Sequence, residues 1–320
     1  MPHADLESHQ AGVEPLPANI TSVQPGGGVC YSLELAWGHV RRWYLRTFRR
    51  GYVARMAALR QGDTTGAPHE ILDPRDLKYC RNLCTAAWSP ADDPFAWRER
   101  IPFARWGLAE LQLMGYPLLA GTVALALSRF WPLAIPLAVV LFLIVYFFRD
   151  PPRRISQEPG LMVSPADGKV VEIAQLENDP FVGGPAVRIG LFLSIFNVHL
   201  NRSPCDARVL CLKYSPGKFL SALRPDSAWE NEAMWIGLED ASPARRRLVV
   251  RQIAGQFARR IVCSLRPGES VSRGHRFGMI KLGSRTELIL PATEGLEIVT
   301  RIGERVVAGS SILARYKDAE

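Results

Sequence analysis

The sequence has few of the residues that build metal sites or disulfide frameworks. Its six cysteines show no paired Cys-x-x-Cys spacing, and Cys80 and Cys84 lie one helical turn apart without a nearby histidine. Neither a metal site nor a disulfide framework is therefore expected, and a reducing compartment is the simpler assumption. The N-terminus also lacks a charged-then-apolar signal pattern, so export is not expected.

Acidic residues are absent from a long N-terminal stretch, in a chain whose formal net charge is +8. None occurs between Glu34 and Asp63, where arginines alternate with aromatic residues in "RRWYLRTFRRGYVARMAALR". On a helix this pattern suits an anionic membrane surface, and nucleic acid is the competing partner. The apolar segment that follows favours lipid, so we predict a basic, aromatic helical extension over 30–112 that binds anionic membrane lipid and no nucleic acid. Residues 1–29 are polar and rich in glycine and proline, which predicts a disordered tail.

The longest hydrophobic run extends from Tyr116 to Phe148, and Arg129 is its only charge. Its second half has about the length that spans a bilayer, whereas its first half is short. Segment 113–148 is therefore predicted to be a membrane hairpin turning near Arg129–Pro132 or a single span, with a buried hairpin of a soluble protein as the alternative. Both flanks carry arginines, and positive charge is retained on the cytoplasmic side. We therefore expect a hairpin at the cell membrane with the following domain on the cytoplasmic face.

The character of the chain changes after Pro151–Pro152. Short apolar runs alternate with turn signals, which predicts a compact, mainly antiparallel β domain over 149–320, arranged like a sandwich. The predicted fold class is thus mainly β, in an α+β chain whose helices precede the β domain. Within this domain "GESVSRG" recurs as "GERVVAG". Two such copies, each after a β run, indicate paired hairpin turns, a structural repeat without chemistry of its own.

Residues that could carry chemistry are sparse in this domain, where only His199 and His275 remain of six histidines. Asp167 lies in the turn "SPADGKV", and Gly283-Ser284 interrupts the strand-like "RFGMIKLGSRTELILP". By default a Gly-Ser pair is a bulge or turn, an Asp-Gly aspartate is turn chemistry, and a lone histidine is a core residue. Serine, histidine and aspartate are nevertheless the three types that together make a hydroxyl nucleophilic.

Several blocks of the chain carry a family resemblance. They are "FFRDPPRR", "VSPADGKVV", "GLFLSIFNVHLNRSP", "GKFL", "RQIAGQFARRIVC" and "RGHRFGMIKLGSRTELILP". In this order and spacing they resemble the short-chain bacterial branch of the phosphatidylserine decarboxylases. The resemblance covers about residues 145–320 and leaves the first hundred or so residues uncovered.

The resemblance implies that the chain is a proenzyme that cuts itself at the Gly283–Ser284 bond. His199, oriented by Asp167, would take the proton of Ser284 Oγ, which attacks the Gly283 carbonyl. Elimination of the resulting ester and hydrolysis would leave a covalent pyruvoyl group, the pyruvate cofactor, in place of Ser284. The β domain would then consist of 149–283 and 284–320, the smaller chain having 320 − 283 = 37 residues. These two chains would form a heterodimer, with any larger oligomer left open.

The resemblance also implies the reaction. The pyruvoyl carbonyl would form a Schiff base with the amine of phosphatidylserine and act as the electron sink for loss of carbon dioxide. The product would be phosphatidylethanolamine, formed at the membrane surface. His199 is the nearest expected donor for the proton that returns to the α carbon.

One position departs from the pattern, and two rival functions stay open. Another branch of the family carries a second histidine three positions after the first, whereas position 202 here is arginine. His199 would then do both tasks, or Arg202 would recognise the lipid's carboxylate or phosphate. The rivals are a membrane-anchored, non-enzymatic β carrier or binding module, and a pyruvoyl decarboxylase acting on another amino-acid-like headgroup.

Overall fold

The computed structural model describes residues 12–14, 29–61, 87–88, 91–221, 226–256, 261–281 and 284–317. The tail predicted over 1–29 lies almost wholly outside this part of the chain, and so does Gly283 on one side of the predicted cleavage site.

Five α-helices occur in the described residues, all but one of them ahead of the β domain. They are α1 (Val29–Phe48), α2 (Arg50–Ala58), α3 (Leu108–Ala126), α4 (Ala134–Phe147) and α5 (Ser227–Glu230). Short 3₁₀ turns occupy Ala96–Glu99, Arg105–Gly107 and Trp131–Leu133. Helices α1 and α2 carry the basic and aromatic pattern, and the rings of Trp43 and Phe48 are exposed. These two rings pack edge to face, with centroids 5.8 Å apart.

The long apolar run lies within two antiparallel helices, α3 and α4, and the turn between them. A Cβ added to Gly121 would lie 3.1 Å from Leu137, and one added to Gly115 would lie 3.9 Å from Leu141, so the helices approach closely in opposite directions. The 3₁₀ turn that contains Pro132 separates them. Within the described residues no helix combines the length and the apolar character of a membrane span. The predicted turn near Pro132 therefore lies between two helices, no spanning helix is found among these residues, and the membrane hairpin stays a prediction.

Sixteen strands are described, all but the first two in the predicted β domain. They are β1 (Arg60–Gln61), β2 (Ala87–Trp88), β3 (Leu161–Val163), β4 (Gly168–Asp179), β5 (Gly184–Leu193), β6 (Leu200–Arg202), β7 (Ala207–Ser215), β8 (Ala233–Asp240), β9 (Arg247–Ala254), β10 (Ile261–Cys263), β11 (Ser270–Val271), β12 (Arg276–Ile280), β13 (Ser284–Pro291), β14 (Leu296–Ile298), β15 (Arg305–Val306) and β16 (Ile312–Tyr316).

The main sheet has eight strands in the order β11-β7-β8-β9-β13-β5-β4-β15. Two three-stranded sheets, β10-β12-β6 and β14-β16-β3, accompany it, and β1 pairs with β2 alone. All paired strands are antiparallel. The prediction of a mainly β fold with antiparallel strands is therefore confirmed.

The two copies of the glycine-bounded repeat form the two edge strands of the main sheet, β11 and β15. The last glycine of each copy, Gly274 and Gly309, has a positive φ that other residues rarely adopt. A Cβ on Gly309 would lie only 3.7 Å from the Cα of Gly274. The sheet is therefore curled, because its two edges meet at these glycines, and Ile155 packs against both.

The main core lies on the concave side of this curled sheet. Alternate residues of each strand point inward, as the twofold strand period requires. On β13 these include Leu288 and Leu290, and on β5 they include Ile189 and Leu191. All four side chains are fully buried. The same alternation determines which polar residues of these strands point inward and which point outward.

The base of the α3–α4 pair packs against the β domain through a second apolar cluster. Trp106, Phe147 and Phe148 contact residues of β6, β10 and β12. Gly107 makes this contact possible, since a Cβ there would lie 2.0 Å from the Phe148 ring. The helical pair is therefore joined to the segment that contains His199 and to β12, the strand ahead of Ser284.

Candidate active site

Ser284 begins β13, an interior strand of the main sheet. It pairs with Ala254 of β9 on one side and Leu193 of β5 on the other. Its side chain is completely buried, and among the described residues its Oγ has no hydrogen-bond partner. A buried hydroxyl without a partner costs about 1–3 kcal/mol. Such exceptions are uncommon in folded proteins and often mark reactive groups.

A buried polar network lies beside Ser284 on the same face of the sheet. Thr286, two residues along β13, accepts a hydrogen bond from Asn201 Nδ2 at 3.2 Å. Gln252 Nε2 donates to Asn201 Oδ1 at 2.9 Å and to the Val262 carbonyl at 3.0 Å. These bonds join β6 to β9 and β13, and so hold the segment that follows His199 against the strand that begins with Ser284.

His199 lies directly before β6, in contact with the strand that leads towards Ser284. Its carbonyl accepts a hydrogen bond from Ile280 at 3.2 Å. The imidazole is fully buried, and its ring centroid lies 4.5 Å from that of Phe147. Burial, with a smaller effect of the Arg149 charge, lowers the pKa of His199 from 6.5 to about 4.

The backbone fixes the tautomer of this histidine. Nδ1 lies 2.9 Å from the Asn197 carbonyl oxygen, which can only accept a hydrogen bond. The proton of the neutral ring is therefore on Nδ1, and Nε2 carries the lone pair that a general base needs.

Asp167 lies at the same end of the sheet but has other partners. Its carboxylate accepts hydrogen bonds from Arg153 at 2.8 and 3.0 Å and from the Ala308 backbone N–H at 2.8 Å. The following residue, Gly168, is pressed against β5, since a Cβ there would lie 2.4 Å from the Phe192 carbonyl oxygen. The structure thus brings Asp167 near the β5 residues that flank Ser284. The group that orients Nδ1 of His199 is the Asn197 carbonyl, and a catalytic role for Asp167 stays a prediction.

The described residue nearest before the predicted cleavage site, Lys281, is fixed to the helical pair. Its ammonium group forms an ion pair with Glu110 of α3. Both side chains are largely buried. No pattern in the sequence pointed to this pair, whose members are 171 positions apart.

Arg202 is engaged inside the protein. Its guanidinium donates to Asp150 Oδ1 at 2.8 Å and to the Gly274 carbonyl at 3.0 Å, and it is only 5% exposed. Arg276 Nε lies 2.8 Å from the other Asp150 oxygen. Burial nevertheless raises the pKa of Asp150. The alternative in which Arg202 recognises the lipid is therefore disfavoured, because its charge already balances a buried carboxylate.

Arg285 points to the opposite face of the sheet from Ser284, since neighbouring strand residues alternate. It pairs with Glu172 and donates to Glu287 at 2.8 Å. Arg251 donates to the other Glu287 oxygen at 2.7 Å. The basic residue after the Gly-Ser pair therefore belongs to a charged network on the outer face of the sheet.

The family model for phosphatidylserine decarboxylase matches residues 140–314, more than half of the chain. A phosphatidylserine decarboxylase proenzyme of Rhodopirellula baltica is 52% identical over 242 residues, which are 75% of this chain and 99% of that protein. Proteins of the same name from Nitrosomonas eutropha and Symbiobacterium thermophilum are 41% and 44% identical, each over 63% of this chain and 94% and 93% of their own lengths. The matched residues include Asp167, His199 and Ser284. The chain is therefore an enzyme of the phosphatidylserine decarboxylase family.

Proposed function

We propose that the chain cuts itself between Gly283 and Ser284 and then converts phosphatidylserine to phosphatidylethanolamine at a membrane surface. The observation that carries the proposal is the buried Ser284 hydroxyl, which begins an interior strand and lacks a partner among the described residues. The relatives support it, because their names join this decarboxylation to a precursor form.

His199 is the base in the proposed cut. Its Nε2 takes the proton of Ser284 Oγ, which attacks the Gly283 carbonyl carbon, and the proton passes to the Ser284 nitrogen as the peptide bond breaks. Loss of the Ser284 Cα proton and breaking of the Cβ–Oγ bond then eliminate the ester, which frees the Gly283 carboxylate and leaves dehydroalanine at position 284. Water then hydrolyses the new N-terminus and releases ammonia. A neutral imidazole is required at the first step, and the low pKa of His199 supplies it at neutral pH.

Asp167 has a supporting role in this proposal. Its carboxylate favours the imidazolium that forms when His199 takes the proton. The ion pair with Arg153 and the bond from Ala308 hold that carboxylate in one place. Replacement of Asp167 by asparagine is therefore expected to slow the cut rather than stop it.

The pyruvoyl group formed from Ser284 supplies an electron sink next to the substrate amine. The residues around position 284 fit such a group, because Ala254 and Leu193 flank it and it lies on the buried face of the sheet. Their apolar side chains keep water away from the reacting atoms. The Thr286–Asn201–Gln252 network holds the strand in register beside them.

Both chains stay together after the proposed cut. The smaller chain would carry β13 to β16, and β13 pairs with β5 and β9 along most of its length. β16 pairs with β3, and β15 pairs with β4. Since these ladders and the shared core join the two chains, the mature enzyme is a heterodimer of its own fragments.

The α3–α4 pair is the proposed membrane contact, inserted into one leaflet on the cytoplasmic side. Helix α4 has 14 residues, or about 21 Å at 1.5 Å per residue, which is shorter than the hydrocarbon core. Large apolar side chains are exposed on both helices and on the turn between them. They include Leu119, Val123, Trp131, Ile135, Val139 and Phe142. The base of the pair packs beside His199, so lipid headgroups would lie near the site.

Two serine variants test the proposal. Ser284→Ala should stay uncut and lack activity on phosphatidylserine vesicles, whereas Ser270→Ala, at an exposed position of β11, should be cut and active. Phosphatidylserine should be preferred over free serine and over other amine-bearing headgroups. A Ser284→Ala protein that still releases carbon dioxide from phosphatidylserine would contradict the proposal.

A further inference from the structure

Glu232 is a buried acid without an assigned task. It directly precedes β8 and is only 3% exposed, and its Oε1 has no hydrogen-bond partner among the described residues. Burying a carboxyl group that has no hydrogen-bond partner costs free energy, which points to a functional role for this side chain.

The backbone around Glu232 is firmly held. Its N–H donates to the Lys218 carbonyl at 3.0 Å, and its carbonyl accepts from Ala254 at 2.9 Å. The neighbouring Asn231 side chain donates to the carbonyls of Ala254 at 2.7 Å and Leu220 at 2.9 Å. The free carboxyl oxygen is therefore not the result of a loose segment.

Register places Glu232 and Ser284 in one row across three neighbouring strands. β8 pairs with β9 so that Ala233 is opposite Ile253, which sets Glu232 opposite Ala254. Ala254 is in turn opposite Ser284 of β13. Two strand spacings of about 4.8 Å separate the backbones of Glu232 and Ser284.

The two side chains also lie on the same face of the sheet. Met234 and Ile236 of β8 belong to the main core, and Glu232 continues their alternation. Leu288 and Leu290 of β13 belong to the same core, and Ser284 continues theirs. Ala254 lies between them on β9, and its side chain is only a methyl group.

The protonation of Glu232 differs from that of His199. Burial raises the pKa of Glu232 to about 7, so about half of the carboxyl groups carry a proton at neutral pH. His199, with a pKa of about 4, carries no second proton to give at that pH. Tyr214, the titratable neighbour on β7, has a pKa raised to about 12 by burial and by the Glu232 charge, so it stays neutral.

We propose that Glu232, rather than His199, donates the proton that returns to the substrate's α carbon after carbon dioxide leaves. The proposal rests on the proposed function of the site. Loss of carbon dioxide breaks the bond from the α carbon to the carboxyl carbon and leaves the electron pair with the substrate. Glu232 gives its proton to the α carbon and becomes a carboxylate, which regains a proton from water. One proton is consumed for each carbon dioxide released.

The test uses Glu232→Gln, which keeps the size of the side chain but has no proton to give. The matched control is Glu230→Gln, at an exposed position two residues earlier. Glu232→Gln should be cut to the same extent as the wild type, by intact mass, and should still capture the lipid amine on reduction with cyanoborohydride. Its turnover should fall about 10²- to 10⁴-fold, the usual contribution of a general acid. Glu230→Gln should be unchanged in all three measurements.

A second measurement needs no mature enzyme. In uncut Ser284→Ala protein, difference infrared spectra should show a carboxylic acid band that titrates near pH 7 and is absent in the Ser284→Ala/Glu232→Gln double variant. If Glu232→Gln does not fold, Glu232→Asp, which keeps an acid on a shorter side chain, replaces it in the test. Mature Glu232→Asp should keep part of the wild-type turnover.

The outcomes separate this inference from the proposed function. Removal of a general acid usually lowers turnover about 10²-fold or more. If the turnover of cut Glu232→Gln is within about threefold of the wild-type value, Glu232 is not the proton donor. Absence of the titrating band would overturn the donor role. Failure of Glu232→Gln to be cut would also overturn it, by placing Glu232 in self-processing. A wild-type protein that is neither cut nor able to capture the amine would refute the proposed function itself.

Discussion

Self-cleavage should persist at a pH where an ordinary histidine would be protonated. The pKa of His199 is lowered from 6.5 to about 4, because burial disfavours the charged imidazolium and the Arg149 charge adds to this effect. At pH 5.5 a base with a pKa of 4 is about 97% neutral, whereas one with a pKa of 6.5 is only about 9% neutral. The cut at Ser284 should therefore proceed at pH 5.5 almost as fast as at pH 8.

Removing the positive charge near His199 should shift the pH profile of self-cleavage. The positive charge of Arg149 lowers the pKa of His199, so Arg149→Met should shift the acid limb of the profile to higher pH. Arg154→Met, at an exposed neighbouring position, is the matched control and should leave the profile unchanged. Arg149 also donates to the Tyr146 and Phe196 carbonyls, so the midpoint of the profile is compared rather than the absolute rate.

The assay follows newly made protein. Proenzyme is synthesised in a cell-free system for a short pulse, transferred to buffers of pH 4.5 to 8.5, and the fraction cut is measured over time on gels. A rate at pH 5.5 that is only about a tenth of the rate at pH 8 would refute the reasoning, because it would indicate an ordinary histidine pKa.

Three further variants test a buried ion pair, a close contact and the membrane contact. Arg202→Met leaves the buried Asp150 with less compensation and should lower the free energy of unfolding by about 3 kcal/mol, measured by urea denaturation of uncut Ser284→Ala protein. Gly107→Ala should cost about 1–3 kcal/mol in the same assay, because its methyl group would overlap the Phe148 ring. Phe142→Glu should weaken sedimentation with phosphatidylserine vesicles while the cut at Ser284 remains complete.

The Gly107→Ala variant has a matched control. Gly51→Ala adds a methyl group where no atom lies within 4 Å, so it should not destabilise the protein. Equal destabilisation by Gly51→Ala and Gly107→Ala would contradict the packing argument. Unchanged stability of Arg202→Met would mean that Asp150 is not held by Arg202, and unchanged vesicle binding of Phe142→Glu would place the membrane contact elsewhere.

Local patterns in the sequence predicted the type of fold. Strand alternation and turn residues indicated antiparallel strands, and the apolar run indicated either a helical hairpin that turns near Pro132 or a single span. Local patterns do not specify long-range pairing, however. The copies of the repeat were recognised, yet their positions at opposite edges of one curled sheet depend on pairing with β7 and β4, which the repeat itself does not encode.

In the candidate site, too, the sequence indicated some residues, and only the structure showed the others. The Gly-Ser pair that interrupts a strand pattern drew attention to Ser284, and the family resemblance supplied the expected roles of Ser284, His199 and Asp167. The partners of Arg202 could not be read from the sequence, because Asp150 is 52 positions away. Glu232 was not singled out, since neither its burial nor its place in one row with Ser284 can be seen before the strand register is known.

The intact mass of the purified wild-type protein tests the central claim most directly. We expect two chains, the smaller running from position 284 to 320 with 320 − 283 = 37 residues. That chain should be lighter by the mass of one ammonia than a fragment that begins with an unmodified serine, because the water lost on elimination is regained on hydrolysis, and it should be blocked to N-terminal sequencing. A single uncut chain with a free seryl hydroxyl at position 284, in a preparation that decarboxylates phosphatidylserine, would contradict it.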